Sequence, residues 1–358
     1  MPLSASDLPS APTPPASTEE RLVADLIALM EQGVSPWRRP WREEGGRHVN
    51  LASGHAYRGV NPALLTLGMQ LRGSDLPFWC GWGEARRLGV APRRGSRGVT
   101  ILRPQPLGGG DHPPHSQAAG AGEPLPEAGG GRRSAAAAEH DEAATPGQRP
   151  GATRGAMRWR PVVVFNAADL VGDREGSKAL SDRIRRCLAT ARLASPPRGE
   201  RLRQAEATLA AWTVPLLEGG SQACYVPGTD RIHLPAAARF EDPAARLATW
   251  AHEAIHSTGH SSRLGRDLGA AFGSATYARE ELLAELGAVL LGERLAIGSD
   301  AANHAAYLEH WCSLLRSSPR LLLKLLTEAR RAADLIAPEP PPPAPAAVAA
   351  ASGCDPGA

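Results

Sequence analysis

Apolar positions near the start of the chain repeat at helical spacing. Leu22, Val23, Leu26, Ile27, Leu29 and Met30 share one face between Ser17 and Gly33, and Ser17 with Glu20 makes the capping-box pattern that opens a helix. A second helical stretch is expected near residues 61 to 72, and the apolar run Gly98 to Leu102 predicts a strand. From residue 105 to 157 the pattern stops. Gly, Pro, Ala, Ser and Arg predominate there, too little apolar surface to offset the entropy of ordering, so a disordered insertion is expected. Order resumes at Arg160-Pro161-Val162-Val163-Val164-Phe165-Asn166, a β-branched run that predicts a buried strand completing the sheet begun at Gly98 to Leu102.

In the second half, residues 197 to 218 carry a helical pattern, and Tyr225-Val226 and Ile232-His233-Leu234 flank the turn Pro227-Gly228-Thr229-Asp230 as a hairpin. Three strong helices are expected after it. The fold class is therefore α+β: a small α+β domain over residues 17–172, interrupted by the insertion at 105–157, then a mainly helical domain with a short β-sheet over 173–336. Both ends, 1–16 and the Pro-rich 337–358, read as disordered tails.

Composition narrows the function. A chain of 358 residues has room for two domains with cores of their own. A net charge of +3 argues for nothing by itself, because local basic patches vanish in a whole-chain sum. Five scattered cysteines with no C-x-x-C pair indicate neither a disulfide framework nor a zinc knuckle, and read as reduced thiols. Asp7, Glu19 and Glu20 occupy the region where a signal peptide needs a basic start and an apolar block, and no run approaches 18 apolar residues. A soluble, cytoplasmic protein without a membrane span is expected.

The most specific chemical signal is His252-Glu253-Ala254-Ile255-His256. Asp242 and Pro243 suit its N-cap and first turn, and Gly259 suits its end. Residues four apart share a helix face, so both imidazoles can bind one Zn²⁺ while Glu253 stands where it can take a proton from the attacking water. A catalytic zinc needs a third protein ligand, and the next helix offers Glu280, Glu281 and Glu285. Glu281 and Glu285 share a face: Glu281 suits the ligand and Glu285 the acceptor for an imidazole N–H, with the reverse assignment open. His260 lies beyond Gly259 and is read as a bystander or a rim contact to substrate. Tyr277 has the chemistry to stabilise an oxyanion but a packing role is as natural, so it stays outside the catalytic set.

A second signal is basic and aromatic. Arg86, Arg87, Arg93, Arg94, Arg97 and Arg103 follow Phe78, Trp79 and Trp82 with no intervening acid between Arg86 and Arg103, and Trp37, Arg38, Arg39, Trp41 and Arg42, with Tyr57-Arg58, repeat the theme. Arginines neutralise phosphates while ring faces stack unpaired bases, which suits single-stranded nucleic acid.

These residues fall into a family pattern. Gly33-Val34-Ser35-Pro36-Trp37, Pro40-Trp41, Asn50, Tyr57-Arg58-Gly59-Val60-Asn61, Trp79 and Gly95 to Gly98 resemble the N-terminal domain of ArdC-type antirestriction proteins. Ile232-His233-Leu234-Pro235, His252-Glu253-x-x-His256-Ser257-Thr258-Gly259-His260, Arg263-Leu264, Phe272-Gly273 and Tyr277-Ala278-x-Glu280-Glu281-Leu282-x-Ala284-Glu285 resemble that family's zincin-like metallopeptidase domain. The likeness covers residues 18 to 104 and 159 to 336; it departs at the long insertion and at Arg94-Gly95-Ser96-Arg97-Gly98, where the family tends to alternate glycine with lysine and glutamate. It implies a protein of a mobile element that binds single-stranded DNA and acts on an unknown protein substrate through one zinc per chain. The implied site is Glu253 as general base, His252, His256 and Glu281 on the metal, and Glu285 beside them. Trp37, Arg38, Trp41, Tyr57, Arg58, Asn61, Trp79, Arg93, Arg94 and Arg97 are the candidate DNA contacts. Two competing readings are a binding protein that shields DNA with a structural or vestigial metal, and a first domain that delivers the peptidase to a protein partner.

Overall fold

The computed structural model describes residues 18–33, 36, 39–40, 46–106, 157–299 and 307–339. The tails and the insertion expected to be disordered lie outside these residues except at their edges. In chain order the elements are α1 (Thr18–Glu31), β1 (Arg39–Pro40), β2 (Val49–Asn50), α2 (Asn61–Gln70), β3 (Phe78–Gly81), α3 (Trp82–Arg87), β4 (Val90–Pro92), β5 (Val99–Pro106), β6 (Met157–Asn166), β7 (Leu170–Gly172) and α4 (Arg174–Ala194). Then come α5 (Arg198–Ala210), β8 (Leu216–Gly220), β9 (Cys224–Val226), β10 (Arg231–Pro235), α6 (Pro243–Ser257), α7 (Ala275–Leu295), β11 (Gly298–Ser299), α8 (Leu308–Ser317) and α9 (Leu321–Ile336).

The architecture is α+β, as the apolar pattern predicts. The buried stripe of α1 is Val23, Leu26, Ile27 and Met30. β5 and β6 are neighbours in a four-stranded sheet of order β2-β3-β6-β5. Both strands outrun the expected bounds, to Pro106 and from Met157, so the edges of the insertion belong to strands. Arg103–Arg160 forms a separate compact unit, described only at these outer strand ends. The hairpin β9–β10 forms at the expected turn, and β8 joins it in parallel to β10.

Three expectations change. The helix expected over 197–218 stops at Ala210, because Pro215 cannot sit in a helix interior and the segment continues into β8. Residues 174–194, which the sequence left unassigned, form the 21-residue α4. Its apolar stripe is narrow, only Leu180, Ile184, Cys187 and Leu188, and the rest of the helix is polar. Among the described residues four α-helices rather than three follow the hairpin, since Pro319 separates α8 from α9.

One buried cluster joins α1, α2, Trp79 and Val99 to Leu247, Ile255, Leu282, Trp311 and Leu325 of the helical half. A smaller cluster lies under the other face of the first sheet, where Leu51, Phe78, Cys80, Val90 and Leu170 meet Leu180 and Cys187 of α4. Thus α4, although it follows residue 172, packs on the β4–β7 pair and joins the cluster under the first sheet. Among the described residues, no helix is long and apolar enough to cross a membrane.

Candidate functional site

Asp242 caps α6 by accepting the Ala245 N–H, with Pro243 in the first turn. The buried side of α6, Leu247, Ala248, Ala251 and Ile255, packs into the core and turns His252, Glu253 and His256 toward α7 and β9. The helix ends at Ser257, before Gly259 as expected, but a left-handed turn is not the reason for that glycine. A Cβ there would lie 2.9 to 3.0 Å from Leu268 and the Arg266 guanidinium, so glycine lets the returning loop close on the helix end.

The imidazoles face one another, Nε2 to Nε2 at 3.1 Å. Glu281 lies across from both, 3.8 Å from His252 Nε2 and 3.6 Å from His256 Nε2. These three residues are the described cluster able to hold a metal ion. A tetrahedral ion with bonds of roughly 2.0–2.1 Å has ligand–ligand edges of about 3.4 Å, close to the observed spacings. The outer nitrogens meet carboxylates: His252 Nδ1 lies 3.2 Å from Glu285 Oε1, and His256 Nδ1 lies 3.1 Å from Glu280 Oε1. A proton held at each Nδ1 leaves two Nε2 lone pairs pointing at each other and at a carboxylate, an arrangement that calls for a cation. The donor set fits a metal.

The electrostatics agree. Burial opposes charge on both imidazoles, but Glu281 and Glu285 push His252 well above its ordinary value, and Glu280 and Glu281 bring His256 to about 9. Burial also opposes charge on Glu281, yet His252 and His256 hold its carboxyl far below the usual range.

Glu280 was one of three acids on offer but had been given no role. It accepts the His256 N–H and is gripped by Arg266, whose Nε and Nη2 reach its two oxygens at 2.9 Å each. Arg266 also donates to Thr258 Oγ1 and the Ile255 carbonyl, both at 2.8 Å, and so closes the C-terminal end of α6. The adjacency of Glu280 and Glu281 was the only signal for the first; nothing in the sequence marked the second.

A cavity of about 280 Å³ opens over these groups. Glu253 lies on its wall, buried to 7 % exposure. Cys224 and Tyr225 of β9 line one side, Tyr277 and Tyr307 another. The hydroxyls of Tyr277 and Tyr307 are 3.3 Å apart. Tyr277 thus faces the cavity, while His260 does not line it and pairs with Ser262.

The candidate DNA contacts scatter. Trp37, Arg38 and Trp41 lie outside the described residues. Trp79, expected to stack on a base, is a core residue at 0 % exposure, with its indole N–H on His48 Nδ1 and Arg72 over its ring. Asn61 is likewise structural: its amide exchanges two hydrogen bonds with the Leu102 backbone. Tyr57 and Arg58 are half-buried, and the Tyr57 hydroxyl accepts from Asn50. Arg93, Arg94 and Arg97 are exposed on the β4–β5 loop, Arg97 paired with Asp25 at 3.2 Å. Trp82, passed over as a contact, is 52 % exposed and sets its ring edge-on to Phe165.

Comparison with known proteins places the same two halves. Residues 16–118 match the N-terminal domain of the anti-restriction factor ArdC, and residues 203–327 match the zincin-like metallopeptidase family. The uncharacterized protein y4eC of Sinorhizobium fredii is 30% identical over 90% of this chain and 92% of its own length. DNA primase TraC of Escherichia coli is 30% identical over 88% of this chain, which spans only 27% of the primase. Crystal structures of the antirestriction ArdC protein from the R388 plasmid superimpose with a TM-score of 0.56 in both metal-free and Mn(II)-bound forms, at 27% and 25% identity over 89% and 90% of this chain and 96% and 97% of theirs.

Proposed function

The chain belongs to the ArdC-type antirestriction family and carries that family's zincin-like domain, and on this footing we propose that it is a metal-dependent peptidase that accompanies single-stranded DNA of a mobile element. The observation that carries the reading is the convergence of two imidazole nitrogens 3.1 Å apart and one carboxylate beneath a cavity that Glu253 also lines.

His252 and His256 through Nε2, with Glu281, would hold one ion, and Zn²⁺ suits this donor set. The R388 protein was crystallised with Mn(II), so both ions belong in the loading experiment. Such an ion lowers the pKa of water and polarises a peptide carbonyl. Glu253 accepts the proton of the attacking water and returns it to the leaving amine. Glu285 faces His252, and Glu280, braced by Arg266, keeps the His256 proton on Nδ1. The three requirements for general-base hydrolysis, an ion site, a base and a cavity for substrate, meet in one place.

The DNA-binding half of the reading is supported by the family and by exposed arginines on the first domain, among them Arg93 and Arg94. The competing reading, a protein that shields DNA and keeps its metal only for structure, differs in one variant. Glu253→Gln removes the base and no ligand. Peptidase chemistry requires that it keep the wild-type metal content but lose cleavage and lose protection of incoming DNA from restriction. Full protection by this variant would overturn the peptidase role and leave the shielding role standing.

A further inference from the structure

Two clefts on the first domain are lined by arginines, and their charge balance differs. The larger, about 980 Å³ between α1, α2 and the β4–β5 loop, is lined by Arg21, Arg72 and Arg97 but also by two acids, Asp169 at 2.7 Å from Arg72 and Asp25 at 3.2 Å from Arg97. Its field is largely cancelled at short range. The smaller, about 460 Å³ between α3 and α4, is lined by Arg87, Arg183 and Arg186 against a single acid, Glu84. That carboxylate already accepts the Gly81 N–H and the Asn50 amide. None of the three arginines pairs with a carboxylate among the described residues; Arg183 donates only to the Leu51 and Ala52 carbonyls, which orient it without neutralising it. In a chain whose structural arginines sit on acids, such as Arg72, Arg246, Arg263 and Arg266, three uncompensated guanidinium groups around one cleft are set apart.

One further observation says what fills it. The helix α4 carries six basic and two acidic residues, so the cleft lies in an extended positive field rather than a local one. Guanidinium groups left without acids around an open groove are what takes up the phosphates of a strand.

We infer that the α3–α4 cleft is the principal single-stranded DNA site of this protein: Arg87, Arg183 and Arg186 take the phosphodiester backbone. This rests on the DNA-binding half of the proposed function and names where that function lies. It moves the strand away from Trp79 and from the β4–β5 loop, onto a helix that neither matched family region includes.

The test is binding of a fluorescent oligothymidylate to full-length protein across a salt series. Arg87 and Arg186 are exposed, so Arg87→Gln with Arg186→Gln leaves packing intact. Each lost contact flattens the plot of log affinity against log salt by about 0.7 and weakens binding about fivefold at 0.1 M salt, so the pair should flatten it by about 1.4 and cost about 25-fold. An unchanged slope and affinity in the arginine pair, or loss instead in a matched Arg93→Gln and Arg94→Gln pair, overturns the cleft while the DNA-binding reading survives. Wild-type protein that holds no oligonucleotide even at low salt sinks that reading and the cleft with it. Circular dichroism confirms that each variant is folded.

Discussion

Glu280→Gln gives the sharpest test of how the metal site is built. Glu280 Oε1 receives both the His256 N–H at 3.1 Å and Arg266 Nη2 at 2.9 Å, and Oε2 receives Arg266 Nε at 2.9 Å. All three contacts come from donors. A glutamine has the same shape but must place its NH₂ at one of the two oxygen positions, where it faces a donor in either orientation. In either orientation His256 loses the carboxylate that holds its proton on Nδ1, and Arg266 loses its charge partner. Removing such an outer partner lowers metal affinity about 10- to 100-fold, roughly 1.4 to 2.7 kcal/mol. Leaving a buried guanidinium unpaired costs the metal-free protein about 3 kcal/mol, the low end for a buried pair, because Arg266 keeps its bonds to Thr258 and Ile255. Competition against a chromophoric chelator gives the affinity, and urea unfolding of the metal-free protein gives the stability. Glu281→Ala run beside it should abolish stoichiometric binding. A folded Glu280→Gln protein whose affinity stays within roughly twofold of wild type refutes the argument, since the negative charge beside His256 would then contribute nothing to the ligand.

Chelation should lower the melting temperature of wild-type protein, by the equivalent of about 2.7 kcal/mol when the ion had stood at 100 times its Kd, and should leave Glu281→Ala unmoved; scanning calorimetry with and without chelator checks both. Gly292→Ala puts a Cβ 1.9 Å from the Gly298 carbonyl oxygen, a backbone atom that can move only by displacing β11, so a loss of about 3 kcal/mol on urea unfolding is expected. Asp230 is held at about 2 chiefly by its hydrogen bond from Arg263. Its folded value is depressed, so its contribution is present above the ordinary value near 3.8 and is lost as pH falls from there toward 2. Asp230→Asn should flatten melting temperature against pH in that window and nowhere above it.

The candidate metal site was the most legible part of the sequence because helical geometry alone puts His252 beside His256 and Glu281 beside Glu285. Contacts between helices were not legible. Glu280 sits one residue before Glu281 and about 100° around the helix, so pattern reading directs it away from the ion. It meets instead the outer nitrogen of His256. Arg266 lies in an irregular loop whose course depends on Gly259 having no side chain, which no spacing rule announces. The unassigned α4 has a related cause: a helix packing only Leu180, Ile184, Cys187 and Leu188 on a sheet needs so narrow an apolar stripe that its sequence reads as polar.

The first domain was harder for a reason visible in β3. Phe78 and Cys80 enter the small cluster under the sheet and Trp79 enters the large one on the opposite face. A strand covered on both sides loses the alternation that marks a wet face, so Trp79 and Trp82, three residues apart, look equivalent in composition although one is sealed and the other open. Counting arginines fails in the same way. Arg97 finds Asp25 and Arg72 finds Asp169, 72 and 97 residues away along the chain, whereas Arg87 meets Arg183 and Arg186 across a similar separation and no acid joins them on either helix face of the cleft except the committed Glu84. A run of like charge in the sequence therefore says how many phosphates a surface could neutralise, but only the fold says which guanidinium groups are already neutralised. The residues left over after that subtraction, not those densest in sequence, are where an anionic strand gains most.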